Sequence, residues 1–354
     1  MAIIFADGMD SYTATADLTA KFDNNSDVID NTFNSTAGRF GGGAIVCADD
    51  GQWLDKIIPP TGSAVTTDEL FVSIAASFSD LTFSTSQGFL GFSQNGDIGA
   101  ATASTLDGLW ITANAGVLQL YRGSSLIATG SFALSTGVWY RIECRVVINA
   151  SSGIFQIRVN ETLDIDFSGD TDDVGPLSIN VVKLGSINAI GAVTYDDIVI
   201  HNSAGAAPTG FLGDLRIETL RPDGAGDSSG STVTGAATRH EAVDDPGMHD
   251  GDTTYVSMGA AAEDLYTLSN LSFSPATVHA VVTNIVSRAD GTTPRIMRGK
   301  VKQGTTEGNG TSRTVNFGAS YTITQDSFPT NPDTAAAWTE TEINSMQAGQ
   351  EVTT

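Results

Sequence analysis

From Trp139 to Ser168 the side chains change character at every second position. Tyr140, Ile142, Cys144, Val146 and Ile148 alternate with Trp139, Arg141, Glu143, Arg145 and Val147. Asn149-Ala-Ser-Ser-Gly153 punctuates the run as a turn. Phe155, Ile157 and Val159 then alternate with Gln156 and Arg158, and Leu163, Ile165 and Phe167 with Asp164 and Asp166. A period of two belongs to a strand with one buried face, so three such runs joined by short turns predict an antiparallel meander. A three-residue loop at 160–162 would set Val159 opposite Leu163, Arg158 opposite Asp164, Ile157 opposite Ile165 and Phe155 opposite Phe167. A two-residue loop would set Arg158 opposite Leu163. The first register keeps apolar with apolar, so it is the expected one.

The same signal recurs along the chain. Leu70–Phe78, Phe89–Phe92, Leu109–Thr112, Val117–Arg122, Leu126–Phe132, Val181–Leu184 and Tyr195–His201 read as strands between turns rich in Gly, Ser and Asn. The small, polar stretch Asn202–Gly210 marks a boundary. Strand-like pattern resumes at Leu212–Leu220, and Asp223–Thr238, dominated by Gly, Ser, Thr and Asp, reads as a long exposed loop. Further strands fit Thr254–Ser257, Leu265–Leu268, Thr277–Val286, Arg295–Lys302 and Ser320–Gln325. One helix is signalled: Thr339 and Glu342 have capping-box spacing, Trp338 and Ile343 fit a hydrophobic staple, and Gly349 suits a left-handed cap. The expectation is an all-β chain of two antiparallel β-sandwich (jelly-roll) domains with a short C-terminal helix. The domains would span 1–204 and 213–354, joined by a linker at 205–212.

Composition narrows the partners. The formal charge of −24 argues against nucleic acid, whose phosphates demand clustered Lys and Arg, and against anionic membrane surfaces. No apolar run approaches the ~20 residues of a membrane span, and the opening Met1–Asp7 lacks the basic start of a signal peptide. Cys47 and Cys144 are too few and too far apart to staple the chain or to match a zinc spacing. Synthesis in the cytoplasm follows.

Trp139–Gly169, followed by Tyr195-Asp-Asp-Ile-Val-Ile-His-Asn202, resembles the closing strands of a concanavalin A-like (laminin-G-like) jelly roll. Phe5-Ala-Asp-Gly-Met-Asp10 with Gly38-Arg-Phe-Gly-Gly-Gly43 resembles the opening of tailed-bacteriophage virion proteins of that class, with Met9 where Phe is usual. Gly213–Gly224, Asp250–Val256, Asp264-Leu-Tyr266 and Trp338–Gly349 are similar to a phage structural domain that often follows such a jelly roll. The resemblance implies a virion protein made in the host bacterial cytoplasm and displayed on the particle exterior. It would be a homo-oligomer, with a trimer as the expected form, contacting other virion proteins and a host-surface glycan.

Candidate sites follow from residue chemistry. Asp164 and Asp166 share a strand face, as carboxylates do in some concanavalin-like hydrolases, but no third carboxylate joins them. His201, His240, His249 and His279 form no nucleophile or metal spacing, so the expectation is no enzyme. Asp164 and Asp166 are instead assigned, with Trp110 and Tyr121, to ligand binding. Asp170, Asp172 and Asp173 are the candidate oxygen donors for a structural Ca2+. Arg298, Lys300 and Lys302 alternate on one strand, either as an edge guarded by charge or as a docking face for acidic protein surface. The favoured function is a phage tail appendage or receptor-binding protein. The alternatives are a capsid decoration (cement) protein and a carbohydrate-binding module of a glycan-degrading system.

Overall fold

The computed structural model describes residues 3–25, 31–48, 53–58, 69–83, 87–93, 108–173, 179–185, 191–204, 208–291, 294–315, 318 and 320–354. The chain is all β apart from short helical turns, and it divides into two compact units, Met1–Ile217 and Glu218–Thr354. The first unit holds β1 (Ile3–Asp7), α1 (Leu18–Lys21), β2 (Asn24–Asn25), β3 (Asn31–Asn34), β4 (Ala44–Cys47), β5 (Leu54–Ile57), β6 (Leu70–Phe78) and β7 (Leu90–Ser93). It continues with β8 (Leu109–Asn114), β9 (Val117–Arg122), β10 (Ser125–Thr129), β11 (Trp139–Val147), β12 (Gly153–Val159), β13 (Thr162–Gly169), β14 (Val181–Leu184) and β15 (Val193–Asn202).

These strands form two antiparallel sheets. Sheet A has the order β13-β12-β11-β6-β15-β4-β3, with β1 also on β15; sheet B runs β10-β9-β8-β7-β14-β5-β2. The apolar half of each alternating strand supplies the core. Ile142, Cys144 and Val146 stand opposite Ile74, Val72 and Leu70 within sheet A. Phe155 of sheet A meets Phe92 of sheet B edge-on at 5.3 Å. The Tyr195 hydroxyl crosses from sheet A to the carbonyls of Phe89 and Gly185, each 2.6 Å away. Both cysteines are free and buried, and burial pushes their thiols well above the ordinary range. No helix among the described residues is long and apolar enough to cross a membrane.

The meander keeps the expected apolar pairs but reaches them differently. The turn has two residues, Asn160 and Glu161, both at positive φ, and Val159 faces Thr162. Arg158 faces Leu163, and a bulge at Asp164 then restores Ile157 opposite Ile165 and Phe155 opposite Phe167. The extra residue is stored in the strand, where Asp164 turns to accept the N–H groups of Ser131 (2.6 Å) and Phe132 (2.7 Å). The Arg158–Asp164 pair therefore does not form, and Arg158 stacks on Phe211 at 4.2 Å.

Residues 208–217 belong to the first unit, and Leu212–Leu220 is no strand. Its amides bond to side-chain carboxylates on sheet A, so its alternating residues never enter a ladder.

The second unit contains β16 (Pro222–Ser229), β17 (Thr232–Thr234), β18 (Tyr255–Ser257), β19 (Ala262–Leu268) and β20 (Val281–Ser287). It ends with β21 (Arg295–Gln303), β22 (Thr306–Asn309), β23 (Arg313–Val315), β24 (Thr322–Phe328), α2 (Glu340–Ile343) and β25 (Gln347–Val352). Sheet C has the order β16-β19-β25-β21-β22, with β23 also on β21, while β17–β18 and β20–β24 form ribbons. Asp326 of β24 accepts the N–H of Gly299 in β21 at 2.8 Å and so fastens the β20–β24 ribbon to sheet C. The stretch Asp223–Thr238, expected as loop, carries most of β16 and all of β17. Gly, Ser and Asp have low strand propensity, and pairing with β19 overrides it. Trp338, Ile343 and Met346 pack with Val301 and Phe328, and the Trp338 indole N–H donates to the Phe328 carbonyl at 2.9 Å. The capping box is present, but α2 is a single turn, and Gly349 lies in β25, where a Cβ would sit 2.0 Å from the Asp264 carbonyl. Replacing Thr339 by Ala removes the cap and is expected to cost about 1 kcal/mol, read by chemical denaturation of the second unit.

Candidate functional site

The polar half of the alternation in β6, β11, β12, β13 and β15 forms the outer face of sheet A. One cross-strand row contains His201, Phe71, Arg145, Gln156 and Asp166 in that order. Side-chain contacts join it in two groups. The His201 ring stacks on Phe71 at 4.8 Å, the Arg145 guanidinium donates to Gln156 Oε1 at 3.2 Å, and the Gln156 amide donates to Asp166 Oδ1 at 2.9 Å. Arg145 also pairs with Glu69. Phe71 and His201 are buried at one end, Arg145 and Gln156 are half-buried, and Asp166 is exposed. The row thus offers planar hydrogen-bonding groups along one line of an open face.

The next positions along the strands are covered. Arg141 and Glu143 are 1 % and 2 % exposed although they point outward from β11. The N–H groups of Leu212 (2.6 Å) and Gly213 (3.1 Å) donate to Glu143 Oε1. The Ile217 N–H donates to Asp197 Oδ1 at 2.7 Å. Asp197 sits at φ 48° in the bulge of β15, and this backbone turn aims its carboxyl at residue 217. Asp196 accepts the N–H groups of Arg39 (2.8 Å) and Asp197 (2.7 Å). Arg141 donates to the Asp197 carbonyl at 2.7 Å; among the described residues its Nε and Nη2 meet no acceptor, and Glu143 Oε2 and Asp197 Oδ2 meet no donor. Burial, reinforced by the Asp197 charge, pushes Asp196 up to about 7, and burial pushes Asp197 up to about 6. Burial raises Glu143 as well and pulls Arg141 down to about 10. These groups come from distant segments, and only Asp196 and Asp197 stand out in the sequence as a pair.

The four residues assigned to ligand binding do not meet. Trp110 and Tyr121 stack at 4.3 Å on the outer face of sheet B, each 2 % exposed, and the Trp110 indole N–H donates to the Gly123 carbonyl at 2.7 Å. Asp164 serves the 131–132 backbone, and Asp166 alone joins the row on sheet A. The candidate calcium donors are separately engaged. Asp170 pairs with Arg122 and accepts the Asp172 N–H at 3.1 Å, and Asp173 accepts the Gly108 N–H at 3.0 Å. Among the described residues no three His, Cys, Asp or Glu side chains converge to hold a metal.

Arg298, Lys300 and Lys302 lie on β21, an interior strand between β25 and the pair β22 and β23. Arg298 pairs with Glu351 at 2.7 Å and Lys302 with Asp227 at 2.8 Å. Lys300, 3 % exposed, pairs with Glu263, with Glu307 at 2.6 Å and with Glu351 at 3.6 Å. The three cations are thus held by carboxylates of their own sheet and form no free basic face.

No protein-family model and no curated protein sequence matches this chain. Solved structures do. A structure of "Cellulose induced protein, Cip1" is 15 % identical, with 52 % of this chain covering 88 % of it at a TM-score of 0.37. An endo-beta-1,4-glucuronan lyase from the fungus Trichoderma reesei is 14 % identical, with 56 % covering 95 % at 0.38. Alginate lyase Aly36B is 14 % identical, with 61 % covering 98 % at 0.35. The likeness is one of fold. It corrects the expectation that the chain is not an enzyme, because two of these structures are lyases. That expectation tested only sequence-local spacings, whereas here titratable groups gather from remote strands.

Two outcomes follow. The folded first unit binds protons at Asp196, Asp197 and Glu143 that the unfolded chain has released above its ordinary carboxyl range. Its stability therefore falls as pH rises through about 6 to 7 and is greater at about pH 5.5 than at about pH 8. Thermal melts at the two pH values check this, with Asp196→Asn expected to flatten the difference. In the second unit, Lys300→Met leaves three carboxylates without their shared cation and is expected to cost about 2–4 kcal/mol, read by denaturant unfolding.

Proposed function

We propose that the first unit is a glycan-binding jelly roll that uses the outer face of sheet A. The observation that carries this reading is the hydrogen-bonded row Arg145, Gln156 and Asp166, which ends on an exposed carboxylate. Guanidinium, amide and carboxylate groups fixed by one another present donors and acceptors at set positions, as recognition of sugar hydroxyls requires. The formal charge of −24 and the Glu69 and Asp166 carboxylates beside Arg145 favour a neutral glycan over a polyanionic one. The resemblance of Phe5–Asp10, Gly38–Gly43 and Gly213–Gly224 to tailed-phage virion proteins supports placing this module on a phage particle exterior, as a tail appendage or receptor-binding protein.

A glycan array with the full chain tests the binding. Arg145→Ala and Gln156→Ala are each expected to weaken binding about tenfold, the worth of one or two hydrogen bonds, with little change in melting temperature. Signals confined to acidic glycans, or unchanged in both variants, would remove the reading. Incubating each bound polysaccharide with the protein and following its chain length shows whether binding leads to cleavage. Counting copies in a cryo-EM map of an intact particle tests the placement: tens or fewer fit a tail appendage, hundreds a capsid decoration.

A further inference from the structure

Residues 208–217 cross the outer face of sheet A without joining a ladder. Phe211 packs edge-on against Phe71 at 5.5 Å and lies under Arg158, while Leu212 is buried. Gly213, at φ 75°, passes so close to Glu161 that a Cβ would sit 2.6 Å from its Oε1, and the Asp214 N–H donates to that oxygen at 3.3 Å. Arg39 pairs with Asp214 at 2.6 Å and donates to the Leu215 carbonyl at 3.4 Å. Ile217 rests against Gly8, where a Cβ would lie 2.6 Å from its carbonyl. The strap is thus fastened by two apolar anchors and by carboxylates that accept its N–H groups.

We propose that this strap is a proton-coupled cover, closed over Glu143 and Asp197 while the carboxyl cluster beneath it holds protons and loosened when the cluster ionises. The acids that meet there are Asp10, beyond β1; Glu143, on β11; Glu161, in the β12–β13 turn; Asp196 and Asp197, on β15; and Asp214, on the strap. The facing cations are Arg39, from the β3–β4 connection, Arg141, on β11, and Arg158, on β12, and the strap itself carries Arg216, which lies with Arg39 over the Phe40 ring. Six acids thus confront four guanidiniums, of which Arg39 is already committed to Asp214 and Arg216 lies over Phe40. Closure leaves Glu143 Oε2 and Asp197 Oδ2 buried without a donor among the described residues. An ionised oxygen so placed forfeits its hydration, and lifting the strap restores it. A closed state that raises the carboxyls' proton affinity is, by linkage, favoured by protons and disfavoured as pH climbs. Opening costs no sheet hydrogen bonds, and it uncovers Arg141, Glu143 and Ser73 beside the open row of sheet A.

Hydrogen exchange on the full chain tests this without any ligand. After correction for intrinsic rates, protection of the Leu212, Gly213 and Ile217 amides is expected to fall by up to about tenfold per pH unit per proton released between about pH 4.5 and pH 7, and to level off above that. Amides of the β11–β6 ladder should hold their protection. Strap protection that is constant, or that falls in parallel with the ladder, overturns the proposal. Asp196→Asn keeps the acceptor for Arg39 and cannot ionise, so it should reduce the pH dependence of the strap; dependence equal to the parent's also overturns it. Were this variant not to fold, the strap-against-ladder comparison in the parent chain decides alone.

Discussion

Carboxylates that capture backbone N–H groups organise this molecule. Asp7 holds Met9, Asp10 holds Gly43, Asp164 holds residues 131 and 132, and Asp173 holds Gly108. Glu143 and Asp197 hold the strap, while Asp264 and Asp326 hold Ser231 and Gly299 in the second unit. Each bond satisfies amides that a β-rich chain leaves unpaired wherever it departs from a ladder. Much of the acidic excess is therefore architecture, drawn inward to end loops and straps, and not a uniform surface coat. The same choice places carboxyls where ionisation is expensive, and burial there pushes Asp196 and Asp197 above their ordinary range against the pull of the N–H bonds they accept.

The strands of the meander were readable because one face of each is buried, and burial writes a period of two into the residues. Ile157 opposite Ile165 and Phe155 opposite Phe167 followed from that rule. The bulge at Asp164 did not, since a strand and a turn can each absorb one residue while preserving the apolar pairs beyond it. Likewise β16, made of Pro, Asp, Gly, Ala and Ser, has no side-chain pattern to betray it; only its partner β19 makes it a strand. The alternation of Leu212–Leu220 misled for the converse reason, since residues 212–217 lie across a sheet face instead of pairing within one.

The candidate site was less visible still. Asp166 was identified, but its neighbours Arg145, Gln156 and Phe71 are near one another only across strands, and their row depends on the register of four pairings. Trp110 and Tyr121 are genuine neighbours, yet they belong to the opposite sheet. Composition showed that cations gather on β21, but their acidic partners lie on β16, β19, β22 and β25, so their neutralisation appears only in three dimensions.

That charge arrangement on β21 also bears on misfolding. A slip of one residue would turn the apolar side chains of β21 outward and is forbidden by packing alone. A slip of two residues preserves the inward and outward faces, so hydrophobicity cannot discriminate against it. It would move Arg298 from Glu351 to Thr353 and carry Lys302 away from Glu307, its present cross-strand neighbour. The ladder of Arg298, Lys300 and Lys302 thus acts as a key cut for one alignment, penalising the single class of mispairing to which the core of sheet C is blind.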